Sequence, residues 1–254
     1  MQTTEADLDR VERIEQSMLA TWPAPYVHRD GSWNIRRAKS FTGRVNSVTI
    51  LDPQDDQNAD ERVSNAETIF LSEDVRPCFR VTPLMPPMVT ELLKERGYVE
   101  FDPTHILFGK VPVGEAETHR IEDASKPTLQ WIETVETAAP RSDANRAMLQ
   151  AVLEGLSDLS CGFLLAFDGE RPIGAALAVL HNNMVTFHSV AVHAEYRRRG
   201  VGSALMQAGF RFAIKHGVTK TWIAVAGANT PAVALYRGLG LNRIYGYSYL
   251  GAPA

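Results

Sequence analysis

The chain has 254 residues, a formal net charge of −4 and 44% hydrophobic residues, enough for a large core without a disulfide or metal staple. The acidic balance argues against a broad nucleic-acid-binding surface, and no apolar run reaches the roughly 18 residues of a membrane helix. Cys78 and Cys161 lie far apart and outside any zinc spacing, so they favour a reducing compartment and predict no metal site. With the polar, acidic N-terminus over 1–10, these features predict a soluble cytoplasmic protein that binds neither nucleic acid nor membranes.

Hydrophobic residues at helical spacing predict an amphipathic helix over 6–22, with Leu8, Val11 and Ile14 on one face and Pro23 just beyond its end. Alternating apolar residues and turn signals then predict a mixture of strands and helices. The further elements expected in the first half are strands over 33–38, 45–51, 78–82 and 104–111, a turn at 41–43, and helices over 61–71 and 88–96.

The polar segment 112–126 has weak periodicity and predicts a domain boundary near residue 112, which gives domains of 1–112 and 113–254. The order of elements in the second half predicts an α/β fold with a mixed sheet that begins as a meander. The elements expected there are helices over 129–137, 142–156, 200–216 and 230–237 and strands over 163–167, 173–180, 184–192, 221–226 and 244–250.

The two halves contain a faint internal repeat. Residues 81–98 and 225–241 both follow the order strand, helix, glycine and aromatic strand. Two copies of one fold, with the first copy eroded, would explain this pattern. The alternative interpretation is that any two α/β segments look alike at this level of detail.

The strongest chemical signal is an apolar strand that leads through a basic turn into a glycine-rich helix start. Free amides at the start of a helix, together with glycines that leave room for a bulky anion, favour pyrophosphate binding. The segment lacks the Lys-Ser or Lys-Thr of a nucleoside triphosphate loop, and Leu205 stands where a dinucleotide site needs a small residue. A basic helix start that only faces solvent is the alternative. The residues predicted to form the site are Arg197, Arg198, Arg199, Gly200, Val201, Gly202 and Ser203.

The spacing of Arg197, Gly200 and Gly202 resembles the Arg/Gln-x-x-Gly-x-Gly/Ala motif of the GNAT superfamily of N-acetyltransferases. A second segment resembles that superfamily's N-x-x-A-x-x-L-Y-x-x-x-G pattern, and the resemblance covers about residues 120–254. It implies a GNAT fold in the C-terminal half, a degenerate GNAT-like N-terminal half as in tandem members, and acetyl-CoA as co-substrate. The matching residues of the second segment are Asn229, Ala232, Leu235, Tyr236 and Gly240.

The resemblance also implies roles for individual residues. Val190, Ala191 and Val192 would pair with the pantetheine arm as an added strand would. Asn229 would contact the cofactor, although its position also suits a helix N-cap. Tyr236 would protonate the leaving coenzyme A thiolate, and the alternative for it is a half-buried aromatic in ordinary packing.

The general base has several candidates. His188 lies on the strand 184–192, its ionisation suits proton abstraction, and the segment around it resembles the equivalent strand of the serotonin N-acetyltransferase family. The alternative for His188 is a strand histidine bonded to a neighbouring carbonyl. His193 is expected at the surface, and Glu133 and Glu154 are further candidates from helices beside the acceptor cleft.

The sequence therefore predicts an N-acetyltransferase that moves the acetyl group of acetyl-CoA to a primary amine by direct attack, with no metal. The alternative is a non-catalytic acyl-CoA-binding sensor or interaction module. The acceptor, a small-molecule or peptide amine, the acyl chain length and a homodimeric state stay open. The first half is expected to wall the acceptor cleft with Trp33, Arg36, Arg37 and Asn46, unless these residues serve only its own packing and surface.

Overall fold

The structure is a computed structural model that describes residues 5–39, 42–112, 118–140 and 142–253. Its helices are α1 Glu5–Thr21, α2 Ala59–Leu71, α3 Pro87–Glu95, α4 Leu129–Ala138, α5 Asp143–Glu154, α6 Val201–Lys215 and α7 Thr230–Gly238. Its strands are β1 Tyr26–Asp30, β2 Trp33–Arg37, β3 Ser47–Ile50, β4 Cys78–Val81, β5 Val99–Lys110, β6 Arg120–Ala124, β7 Cys161–Asp168, β8 Arg171–His181, β9 Met184–Val192, β10 Lys220–Ala226 and β11 Asn242–Gly251.

The predicted α/β class is confirmed, and every predicted helix and strand has a counterpart. The sequence pattern predicts neither β1 nor β6, because both are edge strands without a fully buried face and so lack the alternation that marks a strand. Of the turn expected at 41–43, residue 41 lies outside the described residues, and Gly43–Val45 forms a 3-10 turn. Strand β5 extends across Pro103, where its register with β11 shifts, so the proline sits at an irregularity that tolerates it.

Within the described residues the strands form one mixed sheet in the order β1-β2-β3-β4-β11-β5-β10-β9-β8-β7-β6. The last strand of the chain, β11, lies between β4 and β5, and β5 in turn lies between β11 and β10. The first half of the chain thus contributes β5 to the sheet of the second half, beside β10, and the second half contributes β11 to the sheet of the first half, beside β4. The sheet is continuous across residue 112, and the division into domains 1–112 and 113–254 stays a prediction.

The internal repeat corresponds to two equivalent runs of elements, β3-α2-β4-α3-β5 and β9-α6-β10-α7-β11. In each run the first two strands are parallel neighbours, and the third strand is antiparallel to the second strand of the other run. Even the residue before the first helix agrees, because Asn58 and Gly200 both have left-handed backbone. The N-terminus of α2 carries Asp60 and Glu61, which would repel a phosphate group where α6 would attract one.

The helices cover the two faces of the sheet unequally. One face packs against α2, α3, α6 and α7, and the other packs against α1, α4 and α5. Helix α1 buries Val11, Ile14 and Met18 against the central strands, and its end brings Trp22 to the cluster of α4 and α5. No helix among the described residues has the length and apolar character needed to cross a membrane.

The strand directions place three segment ends at one edge of the sheet. Strands β9, β10 and β11 run in the same direction, and β3 and β4 run opposite to them. The C-terminal end of β9 and the N-terminal ends of β3 and β4 therefore lie along the same edge. The candidate functional site is built there.

Candidate functional site

The turn between β9 and α6 has the geometry of an anion-binding cradle. Arg198 and Gly200 both have positive φ, at 58° and 82°, and the second is a conformation that favours glycine. Arg197 Nε donates to the carbonyl of Val192 at 3.1 Å, which ties the turn to the end of β9. The predicted basic turn and glycine-rich helix start are therefore assembled as one compact unit.

The first amides of α6 are free to bind a ligand. No described side chain caps this helix, and the first amide with an intrahelical partner is that of Ala204, which donates to Gly200 at 2.9 Å. The N–H groups of Val201, Gly202 and Ser203 therefore lie at the positive end of the helix dipole. An anion such as pyrophosphate fits this arrangement.

Arginine side chains surround the cradle on its solvent side. Arg197, Arg198 and Arg199 are exposed, and the Arg199 guanidinium lies 5.4 Å from the ring centre of Tyr196. Arg171 approaches the same ring and pairs with Glu195 at 2.5 Å. These cations can add charge contacts to phosphates that extend beyond the helix start.

His119 is a neighbour of the cradle that sequence reasoning missed. Its Cε1 atom lies 3.8 Å from the position of a Cβ built on Gly200. The residue immediately precedes the unpredicted edge strand β6, far from the motif in the chain. No local pattern around position 119 could have revealed this proximity.

Strands β9 and β10 separate next to the cradle. Their parallel pairing covers only Met184 with Lys220 and Val185 with Thr221, so no described strand pairs with the later residues of β9 on that side. The pairing of β9 with β8 is also irregular, since Ser189 has a φ of 49° and the register shifts opposite Ala176. The half-buried segment of Val190, Ala191 and Val192 thus offers backbone groups to an extended ligand.

Helix α7 follows β10 in the chain and packs beside α6. Asn229 caps it, because its Oδ1 accepts from the amide of Ala232 at 3.2 Å, so the predicted N-cap is confirmed. Tyr236 is 6% exposed and packs in the same core as α6 and β9. Burial raises the pKa of Tyr236 to about 12, so the phenol carries its proton at neutral pH.

His188 lies on the opposite face of the sheet, beneath the end of α1. Its ring stacks on Trp22 with centroids 4.8 Å apart, its Nε2 is 3.2 Å from Thr21 Oγ1, and its Nδ1 is 3.3 Å from an Arg44 guanidinium nitrogen. Burial and the Arg44 cation hold the pKa of His188 well below its usual value. The side chain is therefore neutral at pH 7, and both of its nitrogens have protein neighbours.

The other base candidates lie nearer to solvent. Glu133 on α4 and Glu154 on α5 are exposed, and Glu154 accepts from Gln150 at 3.0 Å. His193 is half-buried, and its Nε2 lies 3.4 Å from Thr137 Oγ1. The described contacts of these three residues neither support nor contradict a role as general base, so that role stays a prediction.

The four residues predicted to line the acceptor cleft divide into two pairs. Trp33 is fully buried and donates to the carbonyl of Asp55, and Arg36 binds the carbonyl oxygens of Leu19 and Trp22 at the end of α1. The contacts of Trp33 and Arg36 are therefore those of residues that pack within the first half of the chain, which was the alternative to a role in the acceptor cleft.

Asn46 and Arg37 lie at an open cleft on the site's edge of the sheet. Asn46 accepts from the amide of Ala38 at 2.8 Å and lines the cleft, and Arg37 pairs with the lining residue Glu73. The cleft has a volume of about 790 Å³. Its lining residues are Tyr26, Lys39, Thr42, Gly43, Asn46, Glu73, Asp74, Val75 and Arg76.

The chain matches the Acetyltransferase (GNAT) family over residues 121–241. It is 24% identical over 258 residues to the uncharacterized N-acetyltransferase YobR of Bacillus subtilis (strain 168), covering 95% of this chain and 98% of that one. It is 30% identical over 122 residues to the ribosomal protein bS18 alanine N-acetyltransferase of Escherichia coli (strain K12), covering 48% of this chain and 78% of that one. The fold is similar to that of a tandem GNAT protein from the clavulanic acid biosynthesis pathway, with a TM-score of 0.65, 13% identity and coverage of 95% and 88%.

These similarities agree with the cradle and the separated strands described above. The chain belongs to the GNAT acetyltransferase family, and the predicted family and fold are confirmed. Membership of this family supports acyltransferase activity of the N-acetyltransferase kind.

Proposed function

We propose that the protein transfers the acetyl group of acetyl-CoA to a primary amine. One observation carries the proposal: the free amides at the start of α6 and the unpaired edge of β9 flank the same short turn. A pyrophosphate bound at the amides would continue as an extended arm along Val190, Ala191 and Val192. Coenzyme A has this shape, a pyrophosphate that carries an extended arm. Membership of the family supports transfer of an acetyl group.

The proposed reaction needs one bond to form and one to break. The neutral amine nitrogen attacks the acetyl carbonyl carbon, the carbon–sulfur bond breaks, and the amide nitrogen loses one proton. The departing sulfur takes a proton from the Tyr236 phenol, which is replenished from solvent. No metal and no redox step enters this balance.

The bulge in β9 supplies a donor for the reacting carbonyl in this proposal. Ser189 has a positive φ, and Val190 follows it outside the regular register with β8. The N–H of Val190 would polarise the thioester carbonyl, where a fixed donor favours the charge that develops during attack. Most of the rate would come from this polarisation and from holding amine and thioester together.

The acceptor would bind on the side of the first half of the chain. The cleft that contains Asn46 opens at the sheet edge at which β9 ends, and its wall at Gly43 packs over the ring of Tyr249. The next residue along this wall, Arg44, reaches His188 on β9. A small-molecule or peptide amine in the cleft would approach the catalytic strand along this wall.

A screen of amines with acetyl-CoA, read by release of free thiol, tests the function directly. The proposal expects turnover with at least one class of amine and loss of turnover in Tyr236→Phe. Calorimetry with coenzyme A is the companion measurement. Binding without turnover across amines, amino acids and peptides would favour the alternative of an acyl-CoA-binding sensor, and absence of both would contradict the proposed site.

A further inference from the structure

His188 joins the two halves of the chain at the catalytic strand. It belongs to β9, but its stacking partner and both hydrogen-bonding neighbours come from residues 21–44. Arg44 lies in the 3-10 turn before β3, and its contact with His188 spans 144 positions of sequence. Neither the motif nor the family assignment gives this arginine a role.

We propose that Arg44 is a positioning residue of the acetyl-transfer site, which holds His188 in one tautomer and orientation and so fixes the bulge that follows it on β9. The catalytic part of this inference rests on the proposed function. The part that concerns the Arg44–His188 contact stands on the structure of the free protein.

The hydrogen bonds around His188 have a single consistent direction. Arginine has no acceptor, so the Arg44 guanidinium donates and His188 Nδ1 accepts. The imidazole proton then lies on Nε2 and is donated to Thr21 Oγ1, whose own hydroxyl donates to the carbonyl of Ser17 at 2.7 Å. The network assigns the Nε2–H tautomer, and each donor in the series has an acceptor.

The same neighbours oppose a positive charge on the imidazole. Arg44 is the charged group whose field acts on His188 among the described residues, and α1 faces the ring with the neutral Thr21 and Trp22. The Arg44 guanidinium also lies 5.1 Å from the Trp22 ring centre, which keeps it beside the stacked pair. Burial acts in the same direction, and together they lower the pKa of His188.

Two consequences follow for the reaction. Ser189, with its positive φ, comes directly after His188. The contacts that hold His188 therefore also fix the start of the bulge that orients the Val190 amide. The Nδ1 lone pair is occupied while Arg44 is bound, and the series of donors ends at a backbone carbonyl rather than at water. The acceptor amine would then lose its proton to solvent, and His188 would serve as a fixed wall of the site.

Nitrogen-15 NMR of the histidine side chains tests the contact without any substrate. The chain has seven histidines, and the His188 signals are those missing from His188→Gln. The wild type should show a neutral Nε2–H imidazole whose pKa lies well below that of an ordinary histidine. Arg44→Met should mix the tautomers and raise the pKa of His188, whereas Arg44→Lys, which keeps a cationic donor, should stay closer to the wild type.

Arg37→Met is the matched control, since Arg37 pairs with Glu73, whereas the described neighbours of the His188 ring are Thr21, Trp22 and Arg44. Its His188 signals should equal those of the wild type. Identical His188 spectra in Arg44→Met and wild type would overturn the proposal. A wild-type Nδ1–H tautomer or an imidazolium at pH 6 would overturn it as well, even if Arg44→Met fails to fold.

Kinetics test the positioning role. Turnover of Arg44→Met at saturating substrates should fall by up to roughly 100-fold, the scale of a misplaced catalytic group, and Arg44→Lys should recover part of it. Coenzyme A affinity should fall far less than turnover, because the phosphates bind at the start of α6, whereas Arg44 acts on the bulge before Val190. If the wild type transfers no acetyl group, the proposed function fails, and the NMR result still decides whether Arg44 fixes His188.

Discussion

Gly202 of α6 lies directly against Leu235 of α7, because a Cβ at position 202 would stand 3.3 Å from Leu235 Cδ2. This is closer than most Cβ contacts, so the glycine allows the two helices to pack tightly. The same residue has a free amide in the cradle. One position therefore serves both the packing of α6 on α7 and the close approach of an anion.

Substitution of Gly202 by Asp should abolish coenzyme A binding. The carboxylate would enter the cradle, where it would crowd Leu235 and repel the pyrophosphate. Calorimetry should show binding to the wild type and none to Gly202→Asp. Gly202→Ala is the control for size, and it should bind more weakly than wild type but better than Asp. Equal affinity of wild type and the Asp variant would remove the basis for the site.

Tyr236→Phe should lower turnover by roughly 100- to 10,000-fold, the range of general acid catalysis. The substitution keeps the buried ring and removes only the hydroxyl, so packing with the α6 core should persist. Coenzyme A affinity by calorimetry should stay near the wild-type value. Near-normal turnover of this variant at saturating acetyl-CoA would show that another group, or water, protonates the thiolate.

Alkaline pH should destabilise the fold through its buried tyrosines. Burial raises the pKa of Tyr236 to about 12 and holds those of Tyr245 and Tyr249 well above their usual value, whereas an unfolded tyrosine ionises near pH 10. The unfolded state therefore loses protons first, and the stability is complete below pH 10 and falls as the pH rises toward 12. Denaturant midpoints across this range measure the effect. A constant midpoint to pH 11 would contradict it.

Glu15→Gln should lower the free energy of unfolding by about 3–5 kcal/mol, the cost of leaving a buried charge without its partner. Glu15 and Arg80 are both fully buried and form a bidentate pair, and Tyr245 donates to the same carboxylate at 2.5 Å. Urea unfolding gives the change. Glu170→Gln, at an exposed carboxylate 3.7 Å from Arg120, is the control and should have little effect. Similar small losses in both variants would contradict a stabilising buried pair.

The interleaved sheet predicts that residues 113–254 do not fold cooperatively on their own. This fragment lacks β5, which lies between β10 and β11 in the sheet. Co-expression of 1–112 with 113–254 should restore a folded complex that binds coenzyme A. Circular dichroism on heating and calorimetry measure both properties. A sharp unfolding transition of 113–254 alone would show that its core is self-sufficient and would support two independent domains.

The cradle was predictable from sequence because its parts are contiguous. The strand, the basic turn and the glycines from Arg197 to Gly202 follow each other directly, and each local preference agrees with its neighbours. The cap of α7 by Asn229 was predictable for the same reason. Local steric and hydrogen-bonding rules suffice for such segments.

The remaining parts of the site depend on contacts between distant segments. His119 reaches Gly200, and Arg44 reaches His188, only because the sheet order brings their strands and turns to one edge. The sequence showed His188 as a strand histidine suited to proton abstraction, and it contained no sign that an arginine would occupy its Nδ1. The strand exchange could not be predicted either. The sequence pattern over β11 predicts a strand, but it does not indicate which strands lie beside it in the sheet.

The exchange of β5 and β11 also sets an order of events during synthesis. Strand β5 ends at Lys110 and β11 begins at Asn242, so β4 and β5 emerge from the ribosome long before the strand that separates them. Until then their facing edges carry unpaired amide and carbonyl groups, which readily pair with other chains. We expect the nascent chain to be most prone to aggregation in that interval, and closure of this most distant pairing to limit the rate of folding.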